Sequence, residues 1–111
     1  MTVTINEYQK AALRTVQGTH GLNITNGALG LCGEAGEVAD MIKKSLYQGH
    51  VLDIDHLALE LGDVAWYIAI MAEAIGLDLE TVLQMNVEKL KNRYPEGFDA
   101  DRSQHRKAGD V

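Results

Sequence analysis

Apolar residues in this chain recur at intervals of three and four, and no stretch alternates apolar and polar positions long enough to make a strand. The pattern predicts four helices. The first spans about 4–17 and opens on a capping box of Thr4 and Glu7. GTHGLNITNG, rich in Gly, Asn and Thr, is a loop. The second helix runs from about Asn26 to Tyr47. After the turn QGHVLD, Asp53 is the expected N-cap of a third helix that reaches Ile75 and stops at Gly76. Asp78 is expected to cap the fourth, which runs to about Tyr94 and ends at Pro95, the single proline. The expectation is an all-α fold of four-helix-bundle type, with a helical domain over 1–98 and a polar, flexible tail over 99–111.

The helical period sorts side chains onto faces. Leu31, Ala35, Val38 and Ile42 share one apolar stripe, and Leu57, Leu61, Val64 and Ile68 share another. Glu34 and Glu37 border the first stripe, and Glu60 and Asp63 border the same edge of the second. The short turn between the helices predicts an antiparallel hairpin. Glu37 lies ten residues before Tyr47, and Asp63 lies ten after Asp53. All four carboxylates are thus expected at one height on facing helices. Leu59, Ile70 and Ala74 add apolar surface beyond what one hairpin covers, which favours association with further copies of the chain.

Carboxylates gathered in this way repel one another. At a separation of about 4 Å each pair costs about 4 kcal/mol in an effective dielectric of about 20. A domain stable by about 5–15 kcal/mol cannot hold several such pairs bare and ionised. Either some are protonated or a hard cation neutralises them. Donors that are all oxygen select Mg²⁺, with Mn²⁺ as substitute, over zinc. Gly30 and Gly33 fall beside the glutamates, where a side chain would crowd a metal ligand, whereas Gly36 and Gly62 face elsewhere.

The fourth helix carries the opposite charge. Asn86, Lys89 and Arg93 lie in one line beside the stripe of Leu79, Leu83, Val87 and Leu90. A guanidinium fork and an ammonium suit phosphate oxygens, although the same line also suits a solvated edge paired with acids. There is no Walker A loop and no G-x-G-x-x-G, so phosphates would have to be held by metal and side chains. Tyr67, one turn beyond Asp63, either reaches a ligand through its hydroxyl or packs in the core. Trp66 and Met41 are read as packing residues. His56 and Glu60 have the spacing to share a transition metal. His20 and Asn23 either touch a base or sugar or simply form a turn.

Composition narrows the setting. A chain of 111 residues is one small domain, and its formal charge of −6 disfavours binding to nucleic-acid polymers while admitting a small anion screened by metal. No apolar run is long enough to span a membrane, and no secretory signal is visible. The single cysteine, Cys32, suits a reducing cytoplasm.

Taken in order, GLCGEAGEVAD, ELGDVAWY and KLKNRYPEGF resemble the MazG-type all-α nucleoside triphosphate pyrophosphohydrolases over about residues 26–98. The resemblance implies Mg²⁺-dependent hydrolysis of a (deoxy)nucleoside triphosphate to the monophosphate and pyrophosphate, in nucleotide-pool house-cleaning. It implies that Glu34, Glu37, Glu60 and Asp63 ligate metal and that Asn86, Lys89, Arg93 and Tyr94 bind phosphates. It also implies a homodimer or homotetramer. The corresponding mechanism is metal-assisted in-line attack by water at the α-phosphorus. Glu34 or Glu37 would take the proton, and Lys89 and Arg93 would neutralise the leaving pyrophosphate. Two alternatives stand beside it: a non-catalytic nucleotide- or metal-binding helical oligomer, and a purely structural bundle.

Overall fold

The computed structural model describes residues 2–18 and 21–111, so His20 lies outside the described residues. Every regular element among them is helical: α1 Ile5–Leu13, α2 Ile24–Tyr47, α3 Ile54–Ala74, α4 Leu79–Arg93 and α5 Ala100–Gln104. The predicted all-α class is the observed one. Two compact units divide the chain, one ending at Leu79 and the other spanning Glu80–Val111.

Local chemistry sets the helix ends. Thr4 and Glu7 close the capping box, with Thr4 N donating to Glu7 Oε1 at 3.1 Å and Glu7 N to Thr4 Oγ1 at 3.3 Å. α1 stops at Leu13, short of the expected 17, where the Thr15 hydroxyl donates to Ala12 O at 2.7 Å and competes with helix propagation. α2 starts earlier than expected because the Asn23 side chain caps it, accepting from Asn26 N at 2.7 Å. Asp53 caps α3, accepting from His56 N at 3.1 Å. Its far end is a Schellman turn: Gly76 takes φ +81°, and its amide and that of Leu77 donate to Glu73 O and Ala72 O. The stretch expected to be loose contains α5, capped by Asp99 through the amides of Asp101 and Arg102.

In the first unit α3 is the central element, packed on α2 along one side and α1 along another. Ile70 is fully buried, and Ala12, Ala69 and Leu79 complete a small core around it, with Tyr8, Leu13 and Trp66 packed at its margin. Ile70 is therefore not surplus apolar surface. The hairpin picture left it uncovered because that picture omitted α1, which seats Ala12 against it.

The glycines of α2 explain how the hairpin closes. A Cβ on Gly30 would come within 2.0 Å of the Tyr67 ring, and one on Gly27 would touch Met71 at 3.0 Å. Tyr67 and Met71 are one turn apart on α3, as are Gly27 and Gly30 on α2, so two side chains lie in a notch that two glycines leave. Gly30 thus makes room for an aromatic ring and not for a metal ligand. Gly33, Gly36 and Gly62 have nothing within 4 Å of the added atom. Gly30→Ala should cost about 1–3 kcal/mol through overpacking, even though alanine gains about 1 kcal/mol of helix propensity. In a Tyr67→Ala background the sign should reverse, because the obstructing ring is gone. Thermal denaturation of the four proteins checks this, and an unchanged penalty in the Tyr67→Ala background would refute the notch.

Candidate functional site

Glu34 comes from α2, and Glu60 and Asp63 come from α3, one turn apart. One carboxylate oxygen from each lies within 4.8 Å of the other two. The Gly27–Gly30 notch creates this proximity, since it lets the two backbones approach one turn before Glu34. Glu34 and Glu60 are half-buried and Asp63 is exposed. Partial burial pushes the Glu34 carboxyl above its ordinary value of 4.5, followed by repulsion from Asp63, Glu60 and Glu37 and a hydrogen bond with Glu60. A bare carboxylate here is uncomfortable. Three converging oxygen donors with no thiolate or imidazole among them are the donor set of a hard divalent cation, so the residues fit one.

Glu37 is not part of this trio. It sits one turn further along α2, close enough to raise the pKa of Glu34, and lines a cleft of about 240 Å³ with Met41, Lys44, His50, His56 and Glu60. Lys44 Nζ lies 2.8 Å from Asp40, with which it pairs. His56 Nε2 lies 3.2 Å from Glu60 Oε1. It therefore orients one of the gathered carboxylates and is not itself among the converging donors.

Aromatic residues back the cluster. Tyr67 lies in the Gly30 notch with its ring edge-on to Trp66, centroids 4.9 Å apart, and Trp66 Nε1 donates to Thr15 Oγ1 at 2.7 Å. Tyr8 is a residue that sequence reasoning missed. Its hydroxyl donates to Gly62 O at 3.4 Å, and its pKa is raised by burial and then by the charge of Asp63. The available signal was its spacing of four from Ala12 on the buried face of α1.

In the second unit Asn86, Lys89 and Arg93 share one cavity of about 780 Å³. Arg93 forks onto Asp110, with Nε donating to Oδ2 at 2.9 Å and Nη2 to Oδ1 at 2.7 Å. Tyr94 lies outside that lining. Its ring is 6.0 Å from the Arg93 guanidinium carbon and 5.4 Å from the Phe98 ring. Asn23 is the helix cap described above, and His20 is outside the described residues.

Fold and site together define an all-helical protein whose second and third helices present a carboxylate centre suited to a divalent cation. The MazG nucleotide pyrophosphohydrolase domain matches residues 23–98, well over half of the chain, and the chain belongs to that family. It is 42% identical over 73 residues to the Gene 37 protein of Mycobacterium phage L5, an alignment that covers 62% of this chain and 64% of that protein. The match thus spans less than two-thirds of the relative's length. No solved structure matches the chain. Among the described residues no helix is long and apolar enough to cross a membrane.

Proposed function

We propose that the protein is a Mg²⁺-dependent pyrophosphohydrolase, Mn²⁺ substituting, that cleaves (deoxy)nucleoside triphosphates to monophosphate and pyrophosphate and so clears the nucleotide pool. The observation that carries this reading is the convergence of Glu34, Glu60 and Asp63 within a chain of this family. Those three residues would hold the cation, which when bound neutralises phosphate charge and acidifies the attacking water. Glu37, outside the trio and one turn away, takes the proton as the water oxygen bonds to the α-phosphorus. The bridging oxygen leaves with pyrophosphate. Lys89 and Arg93 neutralise its charge, Asn86 donates to its oxygens, and Tyr94 steadies the guanidinium through its ring. Tyr67 serves the site by seating α3 against α2 at the Gly30 notch.

The protein works as a homodimer or homotetramer in this reading. Leu29, Leu46, Tyr47, Val51, Ile54 and Leu59 are each at least 66% exposed in the single chain, whereas five apolar residues are buried among those described. A second copy covering the exposed set would bury what one chain cannot. The exposed Cys32 remains a thiol in the cytoplasm, where the substrate pool resides.

The test is an endpoint assay with each common NTP and dNTP in Mg²⁺, with products separated by anion exchange and light scattering run in parallel for mass. Monophosphate plus pyrophosphate, abolished by EDTA, is expected. Diphosphate plus orthophosphate would overturn the assigned bond. Binding without turnover would leave a non-catalytic nucleotide-binding oligomer.

A further inference from the structure

The chain carries ten Lys and Arg against sixteen Asp and Glu, yet half of those cations meet in one place. Lys89 and Arg93 of α4, with Arg102, Arg106 and Lys107 of the segment that follows, line the same cavity of about 780 Å³. The one acidic side chain in the lining is Asp110. Five cations facing a single acid in an otherwise acidic protein make a strongly positive cavity, sized for a small-molecule ligand.

Asp110 does not sit there passively. Its carboxylate receives both arms of the Arg93 fork, and Arg93 Nη2 also donates to Val111 O at 3.0 Å. The two side chains are 10% and 16% exposed, so this contact is shielded from water as surface ion pairs are not. Arg93 and then the more distant Arg106 and Lys89 hold the Asp110 carboxyl below its ordinary value, so it stays ionised. A turn delivers it: Asp110 N donates to Lys107 O at 3.1 Å, and Gly109 takes φ +87°, a conformation that suits glycine.

We propose that residues 99–111 complete an anion site on α4, in which Arg102, Arg106 and Lys107 hold the phosphates of an oligophosphate and Asp110 occupies Arg93 until the ligand displaces it. A planar carboxylate on a guanidinium fork has the geometry of a phosphate edge, so the two compete for the same donors. The site rests on the reading that α4 holds substrate phosphates and deepens it. The tail residues lie beyond the matched family domain, which ends at 98. Asp110 thereby sets a threshold. An anion with one phosphate meets a competitor of similar charge, whereas a chain of phosphates spans Arg93 and the tail cations together and prevails. The consequence is selectivity for oligophosphates over orthophosphate.

Calorimetry with inorganic pyrophosphate on the whole chain tests this, in EDTA so that no metal contributes. Asp110→Asn should tighten pyrophosphate binding about three- to tenfold by freeing Arg93, and should narrow the preference over orthophosphate. Arg102→Gln with Arg106→Gln should weaken it by a similar factor and flatten its salt dependence. Arg93→Gln separates the two levels. If it weakens binding while Asp110→Asn changes the affinity by less than twofold, the α4 reading stands and the role of Asp110 is refuted. If Arg93→Gln has no effect, the anion site on α4 falls, and this proposal with it. An unchanged affinity in the doubly substituted tail would remove residues 99–111 from the site.

Discussion

Glu34→Gln is expected to lower turnover by about 10²–10³-fold at fixed Mg²⁺, the range for removing one preorganised group from a reaction centre. The amide keeps the shape of the side chain and one oxygen, so helix content by circular dichroism should be unchanged. It removes the charge with which Glu34, beside Glu60 and Asp63, would hold a cation. Part of the lost activity should therefore return as Mg²⁺ is raised. Glu37→Gln should behave differently, because Glu37 lies outside the trio. Its loss of about 10²–10⁴-fold, the range for a general base, should persist at every Mg²⁺ concentration. Mg²⁺ titrations of the two variants side by side check the assignment. The same response in both would erase the distinction between ligand and base.

The same substitution should reshape stability against pH in metal-free buffer. The folded-state pKa of Glu34 is raised, first by burial and then by its acidic neighbours. The folded chain then binds a proton that the unfolded chain releases more readily, so stability falls as pH rises through that window. The contribution is fully present below the ordinary glutamate value and is lost above the raised one. Glu34→Gln carries no titrating group and should lack this decline. The difference between the two urea-midpoint curves isolates Glu34 from other groups, including Asp110 and Asp40, whose lowered pKa values act in the opposite direction at lower pH.

Much of this architecture was legible in the sequence because it is written locally. Thr4 with Glu7, Asp53 and Gly76 announce helix ends by side-chain and backbone chemistry within four residues, and each does what its type dictates. The meeting of Glu34 with Glu60 and Asp63 was also readable, since hairpin geometry and the helical period together fix their height. Contacts between distant elements were harder to see. Nothing near Gly30 in sequence reveals that the Tyr67 ring would lie against it, so the glycine looked like room for a metal ligand. Ile70 seemed surplus because α1, 58 residues earlier at Ala12, had no visible reason to pack there. The separation of Glu37 from the trio is also beyond periodicity: neighbouring turns of one helix edge look equivalent until a partner helix selects between them.

Gln9 is the clearest case of a tie that no local pattern announces, and its removal should have the largest effect on stability. It is 3% exposed on α1, and its amide serves three backbone groups at once. Nε2 donates to Leu77 O at 3.1 Å and Ala69 O at 3.4 Å, while Oε1 accepts from Leu79 N at 2.7 Å. Leu79 is the first residue of α4, where a helix leaves amides without partners, so a side chain 70 residues away performs the capping. Gln9→Leu keeps the approximate volume and removes every bond, leaving the partly buried Leu77 carbonyl and the buried Leu79 amide unmatched. Each such group costs about 1–3 kcal/mol, so a total loss of about 2–4 kcal/mol is expected. For a domain of this size that lowers Tm on the order of 10–20 °C, measured at one protein concentration. A fall of less than a few degrees would mean that water or a shifted backbone satisfies those groups. The Gln9→Glu variant tests the bond pattern itself. Its carboxyl always accepts from Leu79 but donates to Leu77 only when protonated, so its deficit should shrink as pH falls, whereas that of Gln9→Leu should not.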